Sequence, residues 1–344
     1  MAPEPNLAAR SPSRWGAQEW VAVAIFVAAL AVPYATEDLL VHSIVNRVLI
    51  GAMAAFSVFI MLRMDLLSFA TPAFMALGGY SAVLLAMNGV TEVLLIVPAS
   101  FIVPALVALP LGALVLRLRG VYFVLVTFVL TEILQLIVFL TPGLTGGSDG
   151  LAGFPAPTLL GRDLSDAQSV LALAAAMALL AVVITAALTA HFRQHFAAIE
   201  ENEVLAESLG LVVWRYKAMG FVVAAGIAGM AGFALGNMLL TVHPTSFGAQ
   251  QAVDTIVYTI VGGRGSILGP VVGASLLVTA ADFLGNQGQY AQGLFGLLLI
   301  FVTLVARGGI TGAVVTLARR LRDARRTPDA PAAAASEAAA RGGA

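Results

Sequence analysis

Blocks of about twenty apolar residues recur along this chain, each long enough for an α-helix to cross the hydrocarbon core of a bilayer. The block from Val121 to Phe139 is typical, being apolar on all sides with only a few polar interruptions. A transmembrane β-barrel would instead show short segments alternating apolar and polar residues. Helices also satisfy their own backbone hydrogen bonds, as lipid requires. Charged residues make up 11% of the 344 positions and apolar residues 60%, whereas soluble domains carry about a quarter charged residues. The predicted fold class is therefore all-α, a polytopic transmembrane helical bundle.

The pattern predicts about ten spans, near 20–36, 41–62, 66–87, 93–116, 121–141, 167–190, 216–241, 247–263, 266–284 and 290–306. Arg10 and Arg14 before the first block suggest a signal peptide, but cleavage after Ala35 would put Pro33 where a small residue is wanted. The first block is read as a span. Positive residues then set the orientation. With the N-terminus inside, sixteen of the eighteen Lys and Arg residues face the cytoplasm, only Arg162 faces out, and Arg47 lies within a span. Both termini are thus expected to be cytoplasmic. Residues 1–19 form an N-terminal segment, 20–306 the transmembrane domain, and 307–344 a basic and then disordered tail. Within the domain, 142–166 is the long outer loop and 191–215 the substantial cytoplasmic one. Near the tail, Leu317, Leu321 and clustered arginines fit either an interfacial helix or a plain topology-setting flank.

What the chain lacks also narrows its chemistry. It has no cysteine, which excludes disulfides, thiolate metal sites and a cysteine nucleophile. Its one lysine, Lys217, follows Tyr216 and no glycine-rich loop. A P-loop needs a lysine after its glycines to reach the β/γ-phosphates, so this chain has no ATPase site of that kind. Energy from ATP would have to come through a separate subunit.

Ionisable residues at membrane depth are costly and mark either solute pathways or helix-locking pairs. Glu132 lies near the middle of its block, with Gln135 one turn on; Arg47 and Asp254 lie in two others. Thr127, Thr131 and Glu132 form a candidate pathway set, the alternative for the charges being structural pairing. Gly226, Gly229, Gly232 and Gly236 repeat along one block as small residues do where membrane helices touch closely. Gly262, Gly263 and Gly265 suit a tight cytoplasmic turn, and Gly269 and Pro270 suit the opening of the next helix. A nucleotide-loop reading of Gly263 and Gly265 fails because they sit between two apolar spans. His191 and His195 are four apart, but with no third ligand nearby no metal site is assigned.

The cytoplasmic loop is read as a short amphipathic helix. Ile199, Ala206, Leu209 and Leu205 give one apolar stripe, Glu200, Glu201, Glu203 and Glu207 lie mostly elsewhere, and Gly210 is the stop. By itself this fits an ordinary solvated connector. The loop resembles the EAA-type coupling helix of ABC importer permeases, specifically those of the LivM-type branched-chain amino acid permease family. Ile199, Glu201, Asn202, Glu203, Ala206, Leu209, Gly210, Tyr216 and Lys217 fit that family's pattern, while Glu200 stands where it usually carries arginine. Three further segments are similar: Leu67 to Tyr80 (with Thr71 and Pro72 as departures), Thr145 to Gly150, and Pro244 to Gly248 followed by Gly262 to Pro270.

The resemblance implies a permease subunit in a bacterial inner membrane, forming half of a translocation pathway with a second permease subunit. It implies two cytoplasmic ATPase subunits that use ATP and Mg, so that no cofactor is bound by this chain. It further implies a periplasmic substrate-binding protein docking near Thr145, Gly146 and Gly147, and a small-molecule substrate rather than a nucleic acid. The coupling contact would involve Ile199, Glu200, Glu201, Asn202, Glu203, Ala206, Leu209 and Gly210. Branched-chain amino acids are the family's usual cargo, with urea, amides and aromatic acids carried by related permeases. An ion-coupled secondary transporter is the rival of another class; it calls for discontinuous helices and midplane charges in matched halves.

Overall fold

A computed structural model describes residues 17–29, 31 and 38–285, together with 293, 296–297, 300 and 309–312. The tenth expected span falls largely outside these residues, as do most of the tail and the segment holding Leu317 and Leu321. The helices are α1 (Ala17–Ala29), α2 (Leu39–Leu62), α3 (Thr71–Met87), α4 (Val93–Val115) and α5 (Val121–Leu140). They continue with α6 (Ala167–His191), α7 (Arg193–Glu201), α8 (Glu203–Ser208), α9 (Val213–Leu239), α10 (Ala249–Gly262) and α11 (Leu268–Gly285). Five of them, α2, α4, α5, α6 and α9, are long and apolar enough to cross a membrane. The chain is an all-α polytopic membrane protein, with only two two-residue β pairings among the described residues.

Helix ends follow local chemistry. The Asp38 side chain accepts from Leu40 N–H at 2.9 Å to open α2, and Asp166 accepts from Ser169 N–H at 3.2 Å to open α6. The Ser169 hydroxyl and amide also hold the Asp166 carboxyl below its ordinary value. The third span was expected from residue 66, yet α3 begins only at Thr71, with Pro72 in its first turn. Residues 63–70 are irregular, with Asp65 at φ 56°. Two threonines of α5 serve this unwound stretch: Thr127 Oγ1 accepts from Phe69 N–H at 3.1 Å and Thr131 Oγ1 donates to Phe69 C=O at 2.8 Å. Non-helical backbone at membrane depth is tolerated where protein groups satisfy it. Replacing both with valine leaves a buried N–H and C=O unpaired, at roughly 1–3 kcal/mol each. The double variant is expected to melt clearly lower in detergent than Thr189→Val, whose hydroxyl bonds only carbonyls of its own helix.

The centre of the bundle is α9, packed against α2, α3 and α4. Its small residues set these distances. A Cβ on Gly229 would overlap the Ser100 carbonyl and Pro104 of α4, one on Gly232 would overlap the Met75 carbonyl of α3, and one on Gly78 would overlap Gly229 itself. Pro104 has no N–H for the Ser100 carbonyl four residues back, and Gly229 brings its Cα to that freed oxygen. Close approach thus turns a helix defect into a packing contact. Larger side chains fill the flanks, with Phe74 and Phe221 edge-to-face at 5.4 Å. By contrast α4 and α5 leave Leu106, Leu109, Leu125, Val129 and Leu136 exposed.

At one end of the bundle Leu151–Ala152 pairs with Thr241–Val242, and His243 Nε2 lies 2.7 Å from the Ser148 carbonyl. From that end α10 runs inward for only 14 residues, its Thr259 hydroxyl donating to Ala55 C=O at 3.1 Å. It then turns at Gly263 and returns as α11, with Gly262 meeting Gly269 and Gly273 meeting Tyr258 backbone to backbone. Gly265 stands in open space. The Thr311 hydroxyl donates to Gly262 C=O at 2.7 Å, so residues beyond the last predicted span lie against this turn.

Candidate functional site

The opposite end carries the connector between α6 and α9. The single amphipathic helix expected there is two helices, α7 and α8, because Asn202 is extended at φ −162° and ψ 105°. Its side chain accepts from Leu205 N–H at 3.0 Å and so caps α8. The stop at Gly210 has the predicted cause. Gly210 adopts φ +91°, Gly210 N–H bonds Glu207 C=O and Leu211 N–H bonds Ala206 C=O, both at 3.0 Å, and Leu211 packs on Ala206. This is a Schellman motif with its hydrophobic contact. A Cβ at Gly210 would touch nothing, so the cost of Gly210→Ala is conformational, about 1–2 kcal/mol. The variant is expected to accumulate normally while limited proteolysis cuts its connector faster.

The apolar stripe is divided between two faces. Ile199 and Ala206 are buried against Val213, partly covered by Leu211 and Tyr216. Leu209, by contrast, is 80% exposed, with Val204, Leu205, Val212 and Trp214 also uncovered. The break at Asn202 changes the phase of the second helix, which helical spacing across an unbroken helix hides. An outward apolar face and an inward anchor therefore coexist within one short connector.

Ion pairs hold the anchor. Lys217, the fifth residue of α9, is 4% exposed, with Nζ 2.8 Å from Glu203 Oε2. Arg119, in the α4–α5 link, lies 3.1 Å from Glu207 and 3.6 Å from Glu203. Glu200, the acid that departs from the resemblance, pairs at 3.0 Å with Arg63, the C-cap of α2. The glutamates thus tie the connector to three parts of the bundle, and their partners Arg63, Arg119 and Lys217 were not marked as site residues. The available signal was that these basic residues fall on the same predicted cytoplasmic side as the connector's glutamates. His195 stacks on Tyr216 at 4.6 Å, and among the described residues no group of three or more potential metal ligands forms around it.

The other predicted sites divide. Thr127 and Thr131 are buried on Phe69, whereas Glu132 points from α5 to an exposed face, so the three do not share one surface. Gln135 donates to Pro244 C=O at 3.3 Å instead of partnering Glu132. Arg47 of α2 pairs with Asp282 of α11, and Asp254 accepts from Gln250 at 3.0 Å. In the long loop, Thr145 and Gly147 are buried, and a Cβ on Gly146 would overlap the Gly150 carbonyl. The turn cluster is closely packed, and its exposed residues include Leu144, Ser148 and Asp149.

This geometry can be set beside known proteins. Residues 40–305 match the family profile described as "Branched-chain amino acid transport system / permease component". The chain belongs to this branched-chain amino acid permease family. It is 28% identical over 255 residues to the high-affinity branched-chain amino acid transport system permease protein LivM of Salmonella typhimurium, covering 67% of this chain and 60% of that protein. Over 118 residues it is 31% identical to the corresponding LivH protein of Escherichia coli, covering 33% and 38%. A xylose/arabinose import permease protein of Sulfolobus acidocaldarius is 26% identical over 114 residues, 30% of this chain and 32% of that one. The chain thus spans less than two thirds of the length of the relatives it matches. No solved structure matches it. The match runs from the second residue of α2 through α11 and covers the whole connector.

Proposed function

We propose that this chain is a permease subunit of a binding-protein-dependent ABC importer for branched-chain amino acids in a bacterial inner membrane. The observation that carries the reading is the connector: in a permease-family chain, its exposed apolar face of Val204, Leu205 and Leu209 is backed by ion pairs to α2, α9 and the α4–α5 link, of which the Lys217–Glu203 pair is the most buried. Such a face is a docking surface for an ATPase subunit, and the ion pairs pass its displacement to the bundle. The connector end is cytoplasmic, in keeping with its arginines, and residues 20–306 form one transmembrane unit with both flanks in the cytoplasm. A second permease subunit completes the pathway, with Glu132 on the exposed side of α5 as its candidate polar contact. The 142–166 loop receives the periplasmic binding protein. Two ATPase subunits supply ATP and Mg chemistry, and the connector needs only different contact energies in their two states.

Reconstitution tests this reading. Proteoliposomes holding this chain, the second permease and the ATPase subunits should take up radiolabelled leucine only with ATP and binding protein. Uptake by this chain alone, in ATP-free liposomes under an ion gradient, would overturn it.

A further inference from the structure

A cavity of about 230 Å³ opens between α2, α9, α10 and α11, toward the end of the bundle that carries the long loop. The Arg47–Asp282 ion pair borders it, Gln251 and Tyr258 face it, and Ile50 and Val278 give it an aliphatic wall. The pair joins α2 to α11 through residues 235 positions apart in sequence. Two observations separate it from a simple helix lock. It lies against open space instead of packed side chains, and the Arg47 side chain is half exposed.

We propose that this cavity is a solute site for a zwitterion, an aliphatic α-amino acid whose carboxylate takes Arg47 and whose ammonium takes Asp282. Charge accounting selects that class. A solute with a single charge that parted the pair would leave either Arg47 or Asp282 uncompensated at membrane depth, and a neutral solute would leave both. A zwitterion replaces each partner with an equal charge. The guanidinium fork matches a carboxylate in two parallel hydrogen bonds. Asp282 accepts from the ammonium, and a short branched side chain lies on Ile50 and Val278. Because the pair closes on itself without solute, affinity is set low, as suits a site that must also release its cargo. The inference rests on the transport reading for its class of cargo but assigns the residues independently of ATP coupling.

Binding to the full chain in nanodiscs, followed by saturation-transfer NMR, tests it with three probes of one side chain. These are leucine, 4-methylpentanoate (carboxylate only) and 3-methylbutylamine (ammonium only). Leucine is expected to bind at least tenfold more tightly than either single-charge probe, and Arg47→Gln or Asp282→Asn should remove that preference. If a single variant does not fold, Arg47→Gln/Asp282→Asn, which keeps a neutral hydrogen-bonding pair, should fold and show the same loss. Equal binding of the three probes, no leucine binding at millimolar concentration, or unchanged leucine binding in the variants would overturn the site. ATP-dependent leucine uptake alongside such a result would leave the transport reading standing. Leucine binding with Arg47 dependence but no ATP-dependent uptake would sink the transport reading alone.

Discussion

Gly232→Leu is expected to prevent the chain from accumulating as folded protein in membranes, while Gly265→Leu accumulates normally. Both belong to glycine-rich stretches, Gly232 within α9 and Gly265 in the turn after α10, but they differ in what surrounds them. A Cβ at Gly232 overlaps a backbone carbonyl of α3, whereas one at Gly265 meets nothing within 4 Å. A flexible neighbour could rotate away, but helix backbone cannot, so α3 and α9 would have to separate. Overpacking of cores costs about 1–3 kcal/mol where side chains can shift, and this site lacks that relief. The penalty falls on the central helix, whose other side is held by Gly229 on the carbonyl freed by Pro104. Membrane helices associate mainly through such packing and not through water expulsion. Size-exclusion profiles and melting of the solubilised variants read the difference; a monodisperse, wild-type-like Gly232→Leu would refute this role for α9.

The second large effect concerns the buried lysine. Glu203→Ala leaves Lys217 inside the protein without its carboxylate, and breaking a buried pair from one side costs about 3–5 kcal/mol. Lys217→Met should cost less, because Arg119 remains 3.6 Å from Glu203. The order of the two melting points is therefore predicted, with Glu203→Ala the lower. Combining Lys217→Met with Glu203→Leu removes both charges and should recover much of the stability. In an assembled importer that double variant is expected to hydrolyse ATP while transporting poorly, since the connector stays folded on Val213 but loses its ionic tie to α9. Stability and coupling are thereby read separately.

The sequence carried the architecture further than it carried the site. Apolar blocks predicted α2, α4, α5 and α6 to within two residues because transmembrane length and side-chain character are local properties. The start of α3 was illegible for a non-local reason: residues 66–70 are apolar enough to continue a helix, and their unwinding depends on Thr127 and Thr131 reaching from another span. Spacing along α9 foretold a small-residue face, but not Gly78 and Ser100, which complete it from α3 and α4. In the connector, composition gave the glutamates without their partners. In sequence Arg63 and Arg119 read as topology-setting charges and Glu200 as a departure from the family pattern; in the fold Arg63 lies opposite Glu200. One extended residue, Asn202, undid the helical phase on which the single stripe rested.

The absence of native cysteine makes the central claim directly measurable. A single cysteine at exposed Leu209, in the complex with its ATPase subunits, should form a crosslink to an ATPase subunit with a short bifunctional reagent. The yield should change between nucleotide-free and ATP-bound states, while a cysteine at buried Ile199 gives none. Crosslinking from Ile199 but not from Leu209, or none from Leu209 in a complex that transports with ATP, would contradict the assignment of this face as the place where ATP-driven motion enters.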